Sequence, residues 1–236
     1  MLSLLGVIIG FMARRAIIWL AIAIVVVFLA FFGMWLDFNE SQHAIINWLT
    51  SDQELKEGFL WIAKNTASDA RVLTWWDYAE GVVEIGHRDV IIREASREIK
   101  WTIAGMRKYP WSWIAYELWY PFESDEKVRD VGRFFIAENK SAAIDIARKY
   151  GADYVLVVYP DDVMKFYAIV MATGKQPSEY LGETEAKTRE EMVKVVEQRA
   201  IIKKETIGIR LIYGDETEGF EKVFDNERVR IYKIIE

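Results

Sequence analysis

Residues 140–158 read Lys-Ser-Ala-Ala-Ile-Asp-Ile-Ala-Arg-Lys-Tyr-Gly-Ala-Asp-Tyr-Val-Leu-Val-Val. The first part places Ala142, Ala143, Ile146 and Ala147 on one side of a helix over Lys140–Tyr150. Gly151 fits the position just past a helix end, where left-handed backbone is common. The apolar, β-branched run Asp153–Val158 suits a strand covered on both faces. Pro160 and Asp161 end it. A helix resumes over Asp162–Thr173, until Gly174 and Pro177 break it. A strand held between two helices predicts an α/β layered domain.

Moving outward, a helix is expected over Asp52–Lys64, capped by Ser51 or Asp52, with Leu55, Phe59, Leu60 and Ile62 as its apolar stripe. Arg71–Thr74 reads as a short strand, followed by a helix through Val83. Asp89–Ile92 suits a second strand and Glu94–Met106 a helix. Beyond the opening stretch come a long charged helix over Thr184–Lys204 and strands over Ile207–Tyr213, Phe220–Phe224 and Val229–Ile235. Asp225-Asn226 supplies the turn between the last two. No internal repeat or low-complexity tract is visible.

Ala16–Leu36 contains no charged residue. As a helix it is long enough to cross roughly 30 Å of hydrocarbon. Trp19 and Trp35 stand near its ends, where indole rings favour the membrane interface. Arg14 and Arg15 precede it; Asp37 and Glu40 follow it. The excess of positive charge on the cytoplasmic side predicts a cytoplasmic N-terminus and an extracytoplasmic remainder, hence a single-pass protein of the cell membrane. A cleaved signal peptide would have a shorter apolar core and small residues at its end. Phe32, Met34, Trp35 and Leu36 are bulky and favour a retained anchor. Leu2–Ala13 is apolar but too short to span. The expected division is an N-terminal segment and anchor over 1–36 (span 16–36), a connector over 37–50 and a globular α/β domain over 51–236.

The 236 residues carry a net charge of −6. Nucleic-acid binders show a basic face, so that class is disfavoured. There is no cysteine, which excludes a disulfide framework and any cysteine-based metal site or nucleophile. His43 and His87 lie far apart and in no ligand spacing. Phosphate-binding glycine loops and nucleophile elbows are absent. Aromatic residues make up 14% of the chain, and they are densest over 107–122, Arg-Lys-Tyr-Pro-Trp-Ser-Trp-Ile-Ala-Tyr-Glu-Leu-Trp-Tyr-Pro-Phe. That run reads two ways: as a buried excursion of the core, or as a patch facing a partner or the membrane.

Chemistry is concentrated at Trp75-Trp76-Asp77-Tyr78, just after the first predicted strand. Indole N–H groups donate hydrogen bonds and a carboxylate accepts from a hydroxyl. Together they suit a small pocket for a Ser or Thr side chain, one that would reject a partner lacking the hydroxyl. A pair of core tryptophans beside a helix-capping aspartate is the plainer reading of the same residues. Asp162, Lys165 and Ile169 follow three- and four-residue steps, so a helix brings them to one side. Lys165 is placed to pair with Asp162; an ordinary exposed ion pair beside a core isoleucine is the plainer reading. Asn39-Glu40-Ser41 and Asn139-Lys140-Ser141 match the glycosylation acceptor pattern, although Asn139 also suits a helix cap.

Trp75-Trp76-Asp77-Tyr78-Ala79 resembles the Trp-Trp-Asp-Tyr-Gly hallmark of the oligosaccharyltransferase catalytic subunits, with Ala79 in place of the glycine. Asp162, Lys165 and Ile169 resemble the Asp-X-X-Lys-X-X-X-Met/Ile motif of archaeal-type members. Trp61–Thr66, Ala70–Thr74, Gly86-His87-Arg88 and Lys149–Val157 also resemble segments of that family. The resemblance covers roughly residues 50–175. It implies that Trp75, Trp76, Asp77, Tyr78, Asp162, Lys165 and Ile169 recognise the Ser or Thr of Asn-X-Ser/Thr acceptor polypeptides during protein N-glycosylation. Ala79 departs from the family's pattern at a position where a glycine allows backbone that alanine resists.

In this family the transfer chemistry belongs to acidic ligands of a divalent metal, spread over many membrane helices. Nothing in this sequence corresponds to that region. The expectation is therefore a chain that binds no cofactor by itself and is not active alone. It would work with membrane lipid, an acceptor polypeptide and a polytopic membrane protein that carries the metal. Two alternatives remain: a non-enzymatic structural or assembly subunit of a membrane complex, and one half of a split glycosyltransferase.

Overall fold

The computed structural model describes residues 2–104 and 111–235. Its elements are α1 (Leu2–Ser51), α2 (Gln53–Asn65), β1 (Arg71–Leu73), α3 (Ala79–Glu84), β2 (Asp89–Val90), α4 (Arg97–Ala104), α5 (Trp111–Trp119), α6 (Asp125–Phe135), α7 (Lys140–Tyr150), β3 (Tyr154–Val158), α8 (Asp161–Ala172), α9 (Arg189–Glu197), α10 (Ile207–Tyr213), β4 (Phe220–Asp225) and β5 (Val229–Ile234). The described residues form two compact units. The smaller holds α1 up to Ile45 together with α5 and Tyr120; the larger holds the rest.

The smaller unit contains Arg15–Glu40, 26 residues long and apolar enough to cross a membrane, with none of its apolar window buried. The segment 37–50, expected as a connector, is helical throughout as part of α1. The aromatic run divides between the units. Its residues 107–110 lie outside the described residues, Trp111–Trp119 forms α5, which with Tyr120 belongs to the smaller unit, and Phe122 lies in the larger unit beneath Arg97. Tyr116 meets Phe38 edge-on at 5.7 Å between ring centroids, and Trp119 lies 6.1 Å from it.

In the larger unit, a five-stranded sheet runs β2-β1-β3-β5-β4. β2, β1 and β3 are parallel, whereas β5 pairs antiparallel with both β3 and β4. Alternation along the strands sends side chains to two covered faces. Leu73, Val155, Val157 and Tyr232 join a core with Phe134 and Phe135 of α6, Ala143 and Ala147 of α7, Phe166 and Ile169 of α8 and Ile209 of α10. Val72, Leu156, Val158 and Ile231 pack in a second core with Leu55, Phe59 and Ile62 of α2 and Val82 of α3. Each fully buried side chain of this kind contributes roughly 1.5–3 kcal/mol. Two-sided cover explains why β3 reads as an unbroken apolar run.

The opening helix–strand unit forms as its sequence predicts. Asn139 caps α7, accepting from the Ala142 N–H at 3.0 Å, and Gly151 ends it at φ +64°. Two expectations need correction. Ile207–Tyr213 is helix α10, not a strand. Thr206 caps it and Gly214 ends it at φ +82°, and Gly208 lies against Phe135 so closely that a Cβ would stand 2.5 Å from its carbonyl oxygen. A seven-residue apolar run fits either period, so caps and packing decide. The charged helix over Thr184–Lys204 is only α9. Thr188 and Glu191 form a reciprocal capping box that starts it there, and Arg199 at φ +54° cannot continue it.

Candidate functional site

β1 and β3 are neighbouring parallel strands, and the chain leaves both at their C-terminal ends, where α/β sheets commonly bind ligands. After β1 come Thr74, Trp75 and a single 3-10 turn over Trp76–Tyr78 that leads into α3. After β3 come Tyr159, Pro160 and the first turn of α8. The two segments singled out in the sequence therefore meet.

Trp75 is buried, 1% exposed. Its ring lies 4.1 Å from that of Trp76, tilted by 34°, and meets Phe135 edge-on. Trp76 and Asp77 are half-buried, and Tyr78 is buried. Lys165 reaches Asp77, not Asp162: its Nζ lies 3.4 Å from Asp77 Oδ2. The same ammonium sits 4.9 Å above the Tyr78 ring and 5.8 Å from that of Trp48. Trp48 also lies 6.3 Å from Tyr78. Asp162 turns back towards the strand, and its Oδ2 accepts from the Val158 N–H at 2.7 Å. That bond removes Asp162 from the expected pair with Lys165.

The buried end of this cluster is polar and incompletely paired. Asp162 is 1% exposed. Its Oδ1, the Tyr78 hydroxyl and the Thr74 hydroxyl have no hydrogen-bond partner among the described residues. Burial pushes the Asp162 carboxyl up to about 7, against the pull of Lys165 and the Val158 N–H. Burial, then the carboxylates Asp162, Asp161 and Asp77, hold the Tyr78 phenol well above its ordinary value. Arg228 closes the cluster from the β4–β5 turn. Its Nη2 lies 2.8 Å from Asp52 Oδ2 and 3.2 Å from Asp161 Oδ2, and its carbonyl accepts from the Tyr159 N–H at 2.7 Å. Asp52 also caps α2, so one guanidinium ties the starts of α2 and α8 to the turn.

Ile169 shares the core cluster of Trp75 and Trp76, but at 0% exposure it presents no surface. Ala79 has φ −57° and ψ −45°, ordinary helical values, so this backbone does not need the family's glycine. Trp48 and Arg228 carry no sequence signal. One sits in the expected connector and the other in a turn, and only folding brings them here. Gly86-His87-Arg88 is a clasp: the Arg88 guanidinium donates to Thr66 Oγ1, Ala63 O and Thr66 O at the end of α2. Asn39 is exposed within α1, and Asn139 is exposed but engaged as a cap. No group of three or more His, Asp or Glu that could hold a metal occurs among the described residues.

A second acidic cluster offers a contrast. Asp130 accepts from Lys149 Nζ at 2.7 Å, the Tyr150 hydroxyl at 2.9 Å and Arg133 Nη1 at 3.0 Å. Burial raises its carboxyl, but these bonds outweigh that and leave it below its ordinary value.

No family model matches the chain. Among curated proteins, it is similar to the dolichyl-diphosphooligosaccharide–protein glycosyltransferase subunit STT3B of Arabidopsis thaliana, 27% identical over 128 residues. It is also similar to subunit stt-3 of Caenorhabditis elegans, 25% identical over 134 residues. These matches cover 51% and 53% of this chain but only 14% of each relative's length. Among solved structures, the C-terminal globular domain of oligosaccharyltransferase from Archaeoglobus fulgidus aligns at TM-score 0.46 and 17% identity, over 78% of this chain and 97% of that one. The A. fulgidus oligosaccharyltransferase tethered with an acceptor peptide containing an NVT sequon aligns at TM-score 0.39 and 18% identity, over 56% and 16%. About half of this chain is thus similar in sequence to oligosaccharyltransferase subunits, the family that its Trp75–Ala79 and Asp162–Ile169 segments resemble.

Proposed function

We propose that this chain is an oligosaccharyltransferase-related, membrane-anchored domain that recognises the Ser or Thr of Asn-X-Ser/Thr acceptor polypeptides in protein N-glycosylation. One observation carries this reading: Lys165 meets Asp77 at 3.4 Å, joining the two motif segments at the ends of adjacent parallel strands. Asp77 accepts a hydrogen bond from the acceptor hydroxyl, its ion pair with Lys165 holds that carboxylate in place, and the half-buried Trp76 ring forms an apolar wall for a threonine methyl. A peptide without the hydroxyl leaves Asp77 with one bond fewer, which is the basis of rejection. The chemistry of transfer falls to a polytopic membrane region bearing a divalent metal, with which this domain acts. The basic residues before the span and acidic residues after it support a globular unit outside the cytoplasm. The test is binding of an Asn-X-Thr peptide against its Asn-X-Ala counterpart. Preference for the threonine peptide, lost in Trp76→Ala and Asp77→Ala, is expected. Equal binding of both peptides by the unaltered protein removes the proposal.

A second reading, a non-enzymatic assembly subunit of a membrane complex, has one observation in its favour. Trp75 and Ile169, two of the expected pocket walls, are 1% and 0% exposed. It predicts a stable complex with a polytopic membrane protein that survives Asp77→Ala unchanged, together with indifference to the acceptor peptide. Co-purification of the unaltered and altered chains decides it.

A further inference from the structure

The aromatic helix α5 takes no part in the proposed acceptor site. Its sequence, Trp-Ser-Trp-Ile-Ala-Tyr-Glu-Leu-Trp, has four aromatic residues and one charge. Nine residues of helix extend about 13–14 Å, far short of the roughly 30 Å of a bilayer's hydrocarbon, so α5 is no second span. Its two sides differ. Tyr116 and Trp119 turn to Phe38 of α1. Trp113 and Leu118 remain 44% and 51% exposed.

The level at which α5 attaches is informative. Phe38 lies in the last turn of Arg15–Glu40, the apolar stretch of α1. It stands one turn beyond Trp35, itself 42% exposed and stacked on Phe32. One turn is roughly 5 Å along the axis, so α5 is held where hydrocarbon gives way to headgroups. Indole rings favour that layer because an apolar body and a polar N–H can each face their own solvent. The single acid, Glu117, is half-buried and is tolerated in a headgroup layer but not in hydrocarbon.

We propose that α5 is an interfacial helix that docks on the surface of the bilayer crossed by α1, with Trp113 and Leu118 inserted among the lipid headgroups. The proposal rests on the membrane-anchor reading of α1. Its occupant is the lipid surface, chosen because α5 packs through Tyr116 and Trp119 against Phe38 in the last turn of the span.

The absence of cysteine makes single-cysteine labelling clean. The full chain, carrying an environment-sensitive fluorophore at Leu118→Cys, Val26→Cys or Lys175→Cys, is reconstituted into phosphatidylcholine liposomes. All three positions are exposed. Lys175 reports an aqueous surface of the larger unit, and Val26 reports the span. Lipids brominated near the headgroup or near the chain end then measure depth. The Leu118 probe is expected to emit to the blue of the Lys175 probe and to be quenched best by shallow bromines, with the Val26 probe quenched best by deep ones. Two results overturn the proposal while the anchor stands: a Leu118 probe matching Lys175, or one shielded from iodide yet blind to bromolipid, which would mean that protein covers this face. A Val26 probe untouched by bromolipid removes the anchor itself and the proposal with it.

Discussion

Asp130 and Asp162 are both buried in the larger unit, 6% and 1% exposed, and their surroundings are opposite. Asp130 receives hydrogen bonds from a lysine, a tyrosine and an arginine, so its charge is fully answered. Asp162 receives one backbone N–H and keeps an oxygen without a partner, beside a tyrosine hydroxyl in the same condition. A satisfied buried carboxylate holds α6 to α7. An unsatisfied one costs stability, and such sites persist where a protein binds something. The contrast sets a satisfied scaffold carboxylate against an unsatisfied one in the candidate site.

The largest expected effect breaks the pair apart by pH. Asp162 is lifted from 3.8 to about 7, so the folded state holds its proton where the unfolded chain has released it. Its contribution is complete below pH 4 and is lost as pH rises to about 7. About three pH units at roughly 1.4 kcal/mol each give on the order of 4 kcal/mol. Asp162→Asn, a mimic of the protonated form, is expected to match the unaltered protein at pH 4 and to exceed its stability at pH 8. Unfolding in detergent, followed by tryptophan fluorescence at both pH values, measures the difference. Equal curves at pH 8 would mean that Asp162 is not strained.

The next effect runs the other way. Asp130→Ala strips three donors of their acceptor and is expected to cost about 2–3 kcal/mol near neutral pH. Asp130 sits below its ordinary value, so its support is present above pH 4 and falls as the pH drops further. The same unfolding assay, run from pH 7 downward, should show the variant and the unaltered protein converging. The smallest effect concerns Lys165, which holds Asp162 down. Lys165→Met is expected to move the midpoint of the Asp162 transition upward by about one pH unit or less. A downward move would contradict the geometry at Asp77 and Tyr78.

The sequence carried the fold where several local signals agreed. Over 139–158 a cap, a helical stripe, a left-handed glycine and a strand followed one another, and each formed in place. It misled where one signal stood alone: the apolar run Ile207–Tyr213 reads as a strand, but Thr206 and Gly214 at its ends make it a helix. The aromatic run 107–122 was ambiguous because composition does not say which solvent an indole meets. Within the site, the meeting of the two motif segments was legible, but the partner of Lys165 was not. The Val158 N–H draws Asp162 away, and backbone geometry of that kind is invisible in a list of side chains. Trp48 and Arg228 were illegible for a related reason, since each arrives from a distant segment.

The order of the sheet has a consequence for how this chain comes to be folded. β3 lies in the middle, and one of its edges is covered only by β5, which pairs Val155 with Tyr232. A ribosome therefore makes β3 long before its neighbour exists, and in that interval an apolar strand offers open hydrogen bonds to whatever passes. Arg228 arrives with the same hairpin and fastens the starts of α2 and α8 as β5 settles. The ion pairs of Arg228 with Asp52 and Asp161 are thus completed in the step that hides the vulnerable edge, and a chain still exposing one has not yet assembled the other.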